Sequence, residues 1–129
     1  MIELVDIYKS YQIDSTSFPV LKKINLMINP GEFVGIMGKS GSGKSTLINL
    51  IGLIDKKFEG LYRFNGESIA SYSDNQLSQI RNEQVGFVFQ NFSLIESKTV
   101  RENVELPLLY QGISHRNTKE RVEAALEKV

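Results

Sequence analysis

The chain has 129 residues, enough for one domain with a real core. Lysine plus arginine and aspartate plus glutamate each number 15, so the formal net charge is zero and nothing points to a nucleic-acid partner held by bulk electrostatics. There is no cysteine and a single histidine, His115, which excludes disulfides, thiol catalysis, zinc–thiolate sites and histidine clusters.

Met1 to Tyr11 alternates apolar and polar residues, with a slip in phase near Leu4-Val5, and reads as a half-buried strand. Ile13 to Pro19 is expected to be a polar loop. Val20 to Ile28 alternates again and reads as a second strand, antiparallel to the first. Asn29-Pro30-Gly31-Glu32 is a turn, with proline presetting the first corner and glycine supplying a positive φ at the next. Phe33-Val34-Gly35-Ile36-Met37 is wholly apolar, as for a strand buried on both faces.

Gly38-Lys39-Ser40-Gly41-Ser42-Gly43-Lys44-Ser45 follows and fits G-x-x-x-x-G-K-[ST], the phosphate-binding P-loop. Gly38, Gly41 and Gly43 let the backbone turn and approach a phosphate closely. The loop amides, including those of Lys39, Ser40 and Ser42, then cradle anionic oxygens, with Ser40 and Thr46 also within the motif's reach. Lys44 places a point charge on the β and γ phosphates, and the Ser45 hydroxyl suits Mg²⁺. Thr46 to Ile54 has no breaker before Asp55 and reads as a buried helix whose positive end faces the same phosphates. Strand, loop and helix occur in the order the motif requires, which weighs against a glycine-rich turn that binds nothing.

Beyond this helix, Asp55–Gly60 is a charged loop, and Leu61–Phe64 is a strand ending at the Asn65-Gly66 hairpin signal. Ser73 and Gln76 have capping-box spacing and open a helix through about Asn82. Val85–Phe89 is a second apolar run, expected as a buried strand ending at Gln90. Thr99 and Glu102 form another capping box, starting a helix through Leu109 with Pro107 inside it and Gly112 as its stop. A last helix runs from about Asn117, with Val122, Ala125, Leu126 and Val129 as its apolar stripe. His115 reads as a surface residue near that helix start. No apolar run is long enough to span a bilayer and the N-terminus lacks a signal peptide's pattern, so a cytoplasmic location is expected.

Taken together, these segments resemble the ATP-binding subunit of an ABC transporter, within the group serving macrolide exporters, lipoprotein-release systems and antimicrobial-peptide exporters. The resemblance rests on Val20–Leu26 followed by Pro30-Gly31-Glu32-Phe33, on Leu47–Asp55 after the P-loop, on Ile80-Arg81-Asn82 with Val85-Gly86-Phe87-Val88-Phe89-Gln90, and on Thr99–Val104. It implies an α/β fold: a partial P-loop NTPase-type core with an N-terminal antiparallel β subdomain over residues 1–93, and the beginning of a helical subdomain over 94–129. It implies ATP or ADP with Mg²⁺ as ligands, and a membrane-embedded permease subunit that holds the chain at the inner face of the cell membrane.

The resemblance also assigns roles. Tyr11 falls where the family places an aromatic that stacks on adenine, worth roughly 1–3 kcal/mol per base by analogy with nucleic-acid systems. By pattern alone Tyr11 suits an ordinary strand end, Tyr8 competes for the role, and stacking does not exclude GTP. Gln90 matches the family's Q-loop glutamine, a neutral amide able to ligate Mg²⁺, orient water and signal to the membrane subunit. Asn91–Ser97, with Phe92 and Leu94, is the candidate contact surface for that subunit. Lys44 and Gln90 are thus the candidate catalytic residues.

The family's Ser-Gly-Gly signature, Asp-Glu strand end and switch histidine have no match in residues 1–129, so the chain is expected to stop inside the helical subdomain, to bind nucleotide weakly and to hydrolyse ATP negligibly. An unpaired edge at Phe33–Met37 is expected to favour self-association or marginal stability. A non-catalytic, self-associating fragment is the alternative. A kinase or GTPase is disfavoured, because no guanine-reading Asn-Lys-x-Asp occurs.

Overall fold

A computed structural model describes all residues, 1–129. β1 (Ile2–Ile13), β2 (Thr16–Ile28), β3 (Glu59–Phe64) and β4 (Glu67–Ser68) form one sheet in the order β2-β1-β3-β4, every pair antiparallel. The helices are α1 (Lys44–Ile51), α2 (Asp74–Gln84), α3 (Val100–Tyr110) and α4 (His115–Leu126), with a short 3-10 turn at Ile69–Ser71. The chain divides into two compact units, Met1–Leu77 and Ser78–Val129.

In the first unit, β1 and β2 form the expected antiparallel pair, but the polar loop between them is smaller than predicted. Strand pairing runs to Ile13↔Thr16, and Asp14, at φ 53°, helps close the hairpin. Pro19 therefore lies within β2, paired opposite Ser10. This is tolerated because β2 is the sheet's edge, where a missing N–H removes no bond to a further strand.

The phase slip predicted near Leu4-Val5 is a bulge at Asp6, which takes a φ of 49° and shifts the register against both neighbouring strands. Asn25 closes it: its Oδ1 accepts from the Asp6 amide at 2.9 Å and its Nδ2 donates to the Asp6 carboxylate at 2.9 Å. Opposite, a Cβ on Gly60 would lie 2.4 Å from the Asp6 carbonyl oxygen, so the bulge requires glycine there. The bulge exchanges the faces of the strand. Before it Leu4 points inward; after it Ile7 and Lys9 do.

The core of this unit gathers Leu4, Ile7, Leu21, Leu50, Leu53, Tyr62, Ile69 and Leu77. The Tyr62 hydroxyl donates to the Ile51 carbonyl at 2.6 Å, satisfying a group at the helix end, and burial raises its pKa. α1 starts before Thr46 and stops three residues short of Ile54. Gly52 caps it, Leu53 enters the left-handed region at φ 59° with its side chain in the core, and Ile54 N–H returns to the Asn49 carbonyl at 2.9 Å. The Asn29–Glu32 turn forms as expected, with Gly31 at φ 82° and the Glu32 amide bonded to the Asn29 carbonyl at 3.2 Å. Asn65 and Gly66 both take positive φ, a type I′ hairpin turn. Ser73 and Gln76 make the reciprocal cap bonds at the start of α2, which runs to Gln84 rather than Asn82.

Two expectations are corrected. Neither Phe33–Met37 nor Val85–Phe89 is a strand; Phe33, Met37 and Val88 are essentially fully exposed. A parallel strand needs partners on its edges, and each of these runs has no paired strand within its own unit.

In the second unit, Thr99 and Glu102 form the predicted capping box, and α3 continues through Pro107 to Tyr110. Gly112, at φ 77°, and the Ile113 amide, bonded to the Leu108 carbonyl at 3.1 Å, terminate it. α4 begins at His115, earlier than Asn117. Its predicted stripe is corrected as well: Val122 is buried and Leu126 half-buried, but Ala125 and Val129 are exposed. The position one turn before Val122 is filled instead by buried Thr118, whose hydroxyl donates to the Glu105 carboxylate on α3. Hydrogen bonds from Thr118 and His115, with charge attraction from His115 and Arg101, hold Glu105 below the usual carboxylate range against an opposing desolvation. His115 is surface-exposed as expected, with Nδ1 3.0 Å from Glu105.

Candidate nucleotide site

Gly43 is the N-cap of α1 at φ 90°. A Cβ there would stand 3.1 Å from the Leu21 side chain and 3.2 Å from the Val20 carbonyl oxygen, so the loop is pressed against β2 where only glycine fits without displacement. Gly38 is similarly close to Ser42, whose Oγ would be 2.7 Å from an added Cβ. The loop is closed by the Ser42 amide donating to the Lys39 carbonyl at 3.2 Å.

Lys44 folds back over this loop. Its ammonium donates to the Gly38 carbonyl at 2.8 Å and the Lys39 carbonyl at 2.7 Å. Beside this loop lies a cavity of about 270 Å³, lined by Val20, Ser40, Gly41, Ser42, Gly43, Lys44, Ser45 and Thr46. No acidic residue stands in the first turn of α1, so the positive end of its dipole is not neutralised locally. Loop amides, a helix N-terminus and a lysine at a small cavity are the donor set an oligophosphate needs. No group of three His, Cys, Asp or Glu is placed to hold a metal. A divalent cation here would take neutral oxygens such as the Ser45 hydroxyl, together with oxygens of the bound phosphate.

Seven of the expected site residues, Ser40 through Thr46, are brought around this one cavity, and Gly38 joins them through its carbonyl. Tyr11 is held at the far end of α1. Its hydroxyl donates to Asp55 Oδ2 at 3.2 Å, and the Lys9 ammonium sits 4.8 Å from its ring centroid. Tyr8, the competitor, is turned to the other face of β1 by the Asp6 bulge. Gln90 belongs to the second unit, where it follows the Val85–Phe89 run and is exposed.

Three residues of this region escaped sequence reading. Val20 is one wall of the cavity. Lys9 is buried, 4% exposed, and its ammonium contacts Asp55 at 2.8 Å and the Lys57 carbonyl. Burial pushes the Asp55 carboxyl up, but hydrogen bonds from Lys9, the Lys57 amide and Tyr11, together with the Lys9 charge, outweigh it and hold Asp55 below the ordinary carboxylate range. No local signal links Lys9 to Asp55, which lie 46 residues apart in sequence.

Known proteins place this geometry in a family. A family model described as ABC transporter matches residues 21–129. The uncharacterized ABC transporter ATP-binding protein YknY of Bacillus subtilis is 50% identical over 129 residues, covering all of this chain and 56% of that protein. The macrolide export ATP-binding/permease protein MacB of Syntrophobacter fumaroxidans is 44% identical over 131 residues, and the match spans 18% of its length. Among solved structures, a dimeric post-hydrolysis state of the ATP-binding cassette MJ0796, bound to ADP and Pi, superposes with a TM-score of 0.88 at 43% identity, over 98% of this chain and 55% of that one. The chain thus spans about half the length of such an ATP-binding protein. Its sequence and fold alike show that it belongs to the ABC transporter ATP-binding family.

Proposed function

We propose that this chain carries the nucleotide-holding part of an ATPase that drives transport across a membrane. The observation that carries the proposal is the cavity lined by Val20 and Ser40 to Thr46 at the start of α1, with the Lys44 ammonium held by the adjoining Gly38 and Lys39 carbonyls. In this reading the loop amides and Lys44 bind the phosphates of ATP or ADP, Tyr11 stacks on the adenine, and Ser45 would hold Mg²⁺, a role that the family resemblance alone extends to Gln90. A bound Mg²⁺ supplies charge neutralisation on the β and γ phosphates. Lys44 and Gln90 position the reacting groups.

Phosphoryl transfer also needs a positioned water, and residues 1–129 hold no match to the family's Asp-Glu strand end. The 129 residues by themselves are therefore proposed to turn over ATP negligibly. Relatives named as ATP-binding/permease proteins support a membrane-embedded permease as partner, and that partner is proposed to hold the chain at the inner face of the membrane. Exposed Phe92 and Leu94 within Asn91–Ser97 are the proposed contact with it, and the helical subdomain is proposed to begin at residue 94. Exposed Phe33 and Met37 favour a second reading, self-association through the unpaired apolar run. The dimeric cassette structures are compatible with paired copies.

The test is thermal or chemical unfolding with and without Mg-ATP. At a hundred times its dissociation constant, ligand adds about 2.7 kcal/mol of stability. Lys44→Ala is expected to remove that increment. An increment that survives Lys44→Ala would sink the proposal.

A further inference from the structure

We propose that the Lys9–Asp55 ion pair is a positioning device for the nucleotide base, setting Tyr11 as a platform with one covered face and one open face. This rests on the reading of Tyr11 as the adenine-stacking residue, and it adds two residues to that site.

The argument starts from a cost. A lysine ammonium taken out of water is expensive, and a paired one seldom improves on a well-packed apolar residue. Lys9 is nevertheless 4% exposed on a strand whose Leu4 and Ile7 already supply the apolar packing. What the ammonium does instead is local. It binds Asp55 at 2.8 Å and the Lys57 carbonyl, and it lies 4.8 Å from the centre of the Tyr11 ring. That is within the range of cation–π attraction, so one face of the ring is held against Lys9. The Tyr11 hydroxyl, donating to Asp55 Oδ2 at 3.2 Å, fixes the ring's outer end. Two contacts at different points of the ring restrict both its tilt and its reach. The side chain nevertheless remains 40% exposed, leaving surface for a flat base.

Asp55 also ties this platform to the phosphate loop. Its amide donates to the Asn49 carbonyl of α1 at 3.2 Å, and the Lys57 amide returns to its carboxylate at 3.0 Å. One end of α1 therefore builds the cavity with Lys44 and Ser45, and the turn after its other end holds Tyr11. The spacing between base platform and phosphate cradle is set by one short helix. The Asp6 bulge completes the arrangement, since it puts Tyr11, not Tyr8, on the Lys9 face.

The ligand class is a nucleoside phosphate whose base stacks on tyrosine. Dissociation constants for Mg-ATP and for tripolyphosphate, which has the phosphates without the base, separate the two ends of the site. Tyr11→Ala is expected to weaken ATP roughly tenfold or more, the lower range of base stacking, and to leave tripolyphosphate unchanged. Lys9→Met and Asp55→Asn are expected to weaken ATP by about three- to tenfold, again with tripolyphosphate unchanged, and to add nothing in a Tyr11→Ala background. Tyr11→Phe, which leaves the buried pair intact, is expected to give a smaller loss of the same kind. If Tyr11→Ala weakens ATP while Lys9→Met, Asp55→Asn and Tyr11→Phe do not, the positioning role is overturned and the stacking role stands. If Tyr11→Ala has no effect, or wild-type chain binds ATP no tighter than tripolyphosphate, both fall. Equal losses for both ligands in Lys9→Met and Asp55→Asn show a merely structural pair and overturn the proposal. Should those two variants fail to fold, Tyr11→Phe decides it: no loss of ATP relative to tripolyphosphate overturns the positioning role.

Discussion

Phe33–Met37 and Lys44–Ile51 flank the same loop and the first is the more apolar in sequence, yet only the second becomes a regular element. The difference lies in where their backbone partners are. A helix finds its partners four residues away, and α1 needs only Gly43 in the left-handed region to start. A strand finds its partners in another segment, and no strand of this unit's sheet pairs with Phe33–Met37. Phe33 and Met37 consequently face solvent, while Leu50 of α1 and Leu53 just beyond it lie in the core.

Substitution would break or sharpen this contrast. Leu50→Ala should have the largest effect, costing about 2–5 kcal/mol of unfolding free energy as a large-to-small core change. Phe33→Ser, a more drastic change in chemistry, should alter stability by no more than about 0.5 kcal/mol and should lower self-association measured by light scattering. Equal costs in denaturant titrations of the two variants would mean that Phe33 is packed after all. Thr99→Ala tests the local side of the contrast. Loss of the cap should cost about 1 kcal/mol, read out as lower helicity of α3 or faster amide exchange from Asn103 onward.

The smallest effect expected is an acid one. Asp55 is held below its ordinary value in the folded chain. A depressed carboxyl contributes stability above its unfolded-state value, about 3.9, and loses it as pH falls from there through the folded value. Asp55→Asn should therefore flatten the acid limb of the stability profile below about pH 4. An acid limb identical in the two chains would mean that the Lys9 contact does not persist in solution.

Much of the site was legible because it is local. The spacing from Gly38 to Ser45, the caps at Ser73 and Thr99, and the Asn65-Gly66 turn each specify a geometry within a few residues. They form as read. The errors fall where the outcome depends on distant groups. Thr16 to Pro19 looks like a loop from composition but is drawn into β2 by pairing with β1. Ala125 looks like part of a stripe, yet the α4 seam runs through Thr118, Val122 and Leu126 because Glu105 on α3 supplies a partner for a hydroxyl.

By itself, then, the sequence determined that the chain presents a tight glycine-rich loop at the start of a helix, because glycine, lysine and serine at that spacing act through their own backbone and immediate neighbours. Only the tertiary structure decided which tyrosine belongs with that helix. The choice depends on a one-residue bulge at Asp6, which Asn25 closes and Gly60 admits, and on a lysine and an aspartate brought together from 46 residues apart. A strand's two faces are exchanged by a single residue, and no local pattern records which partner across the sheet will fix that exchange.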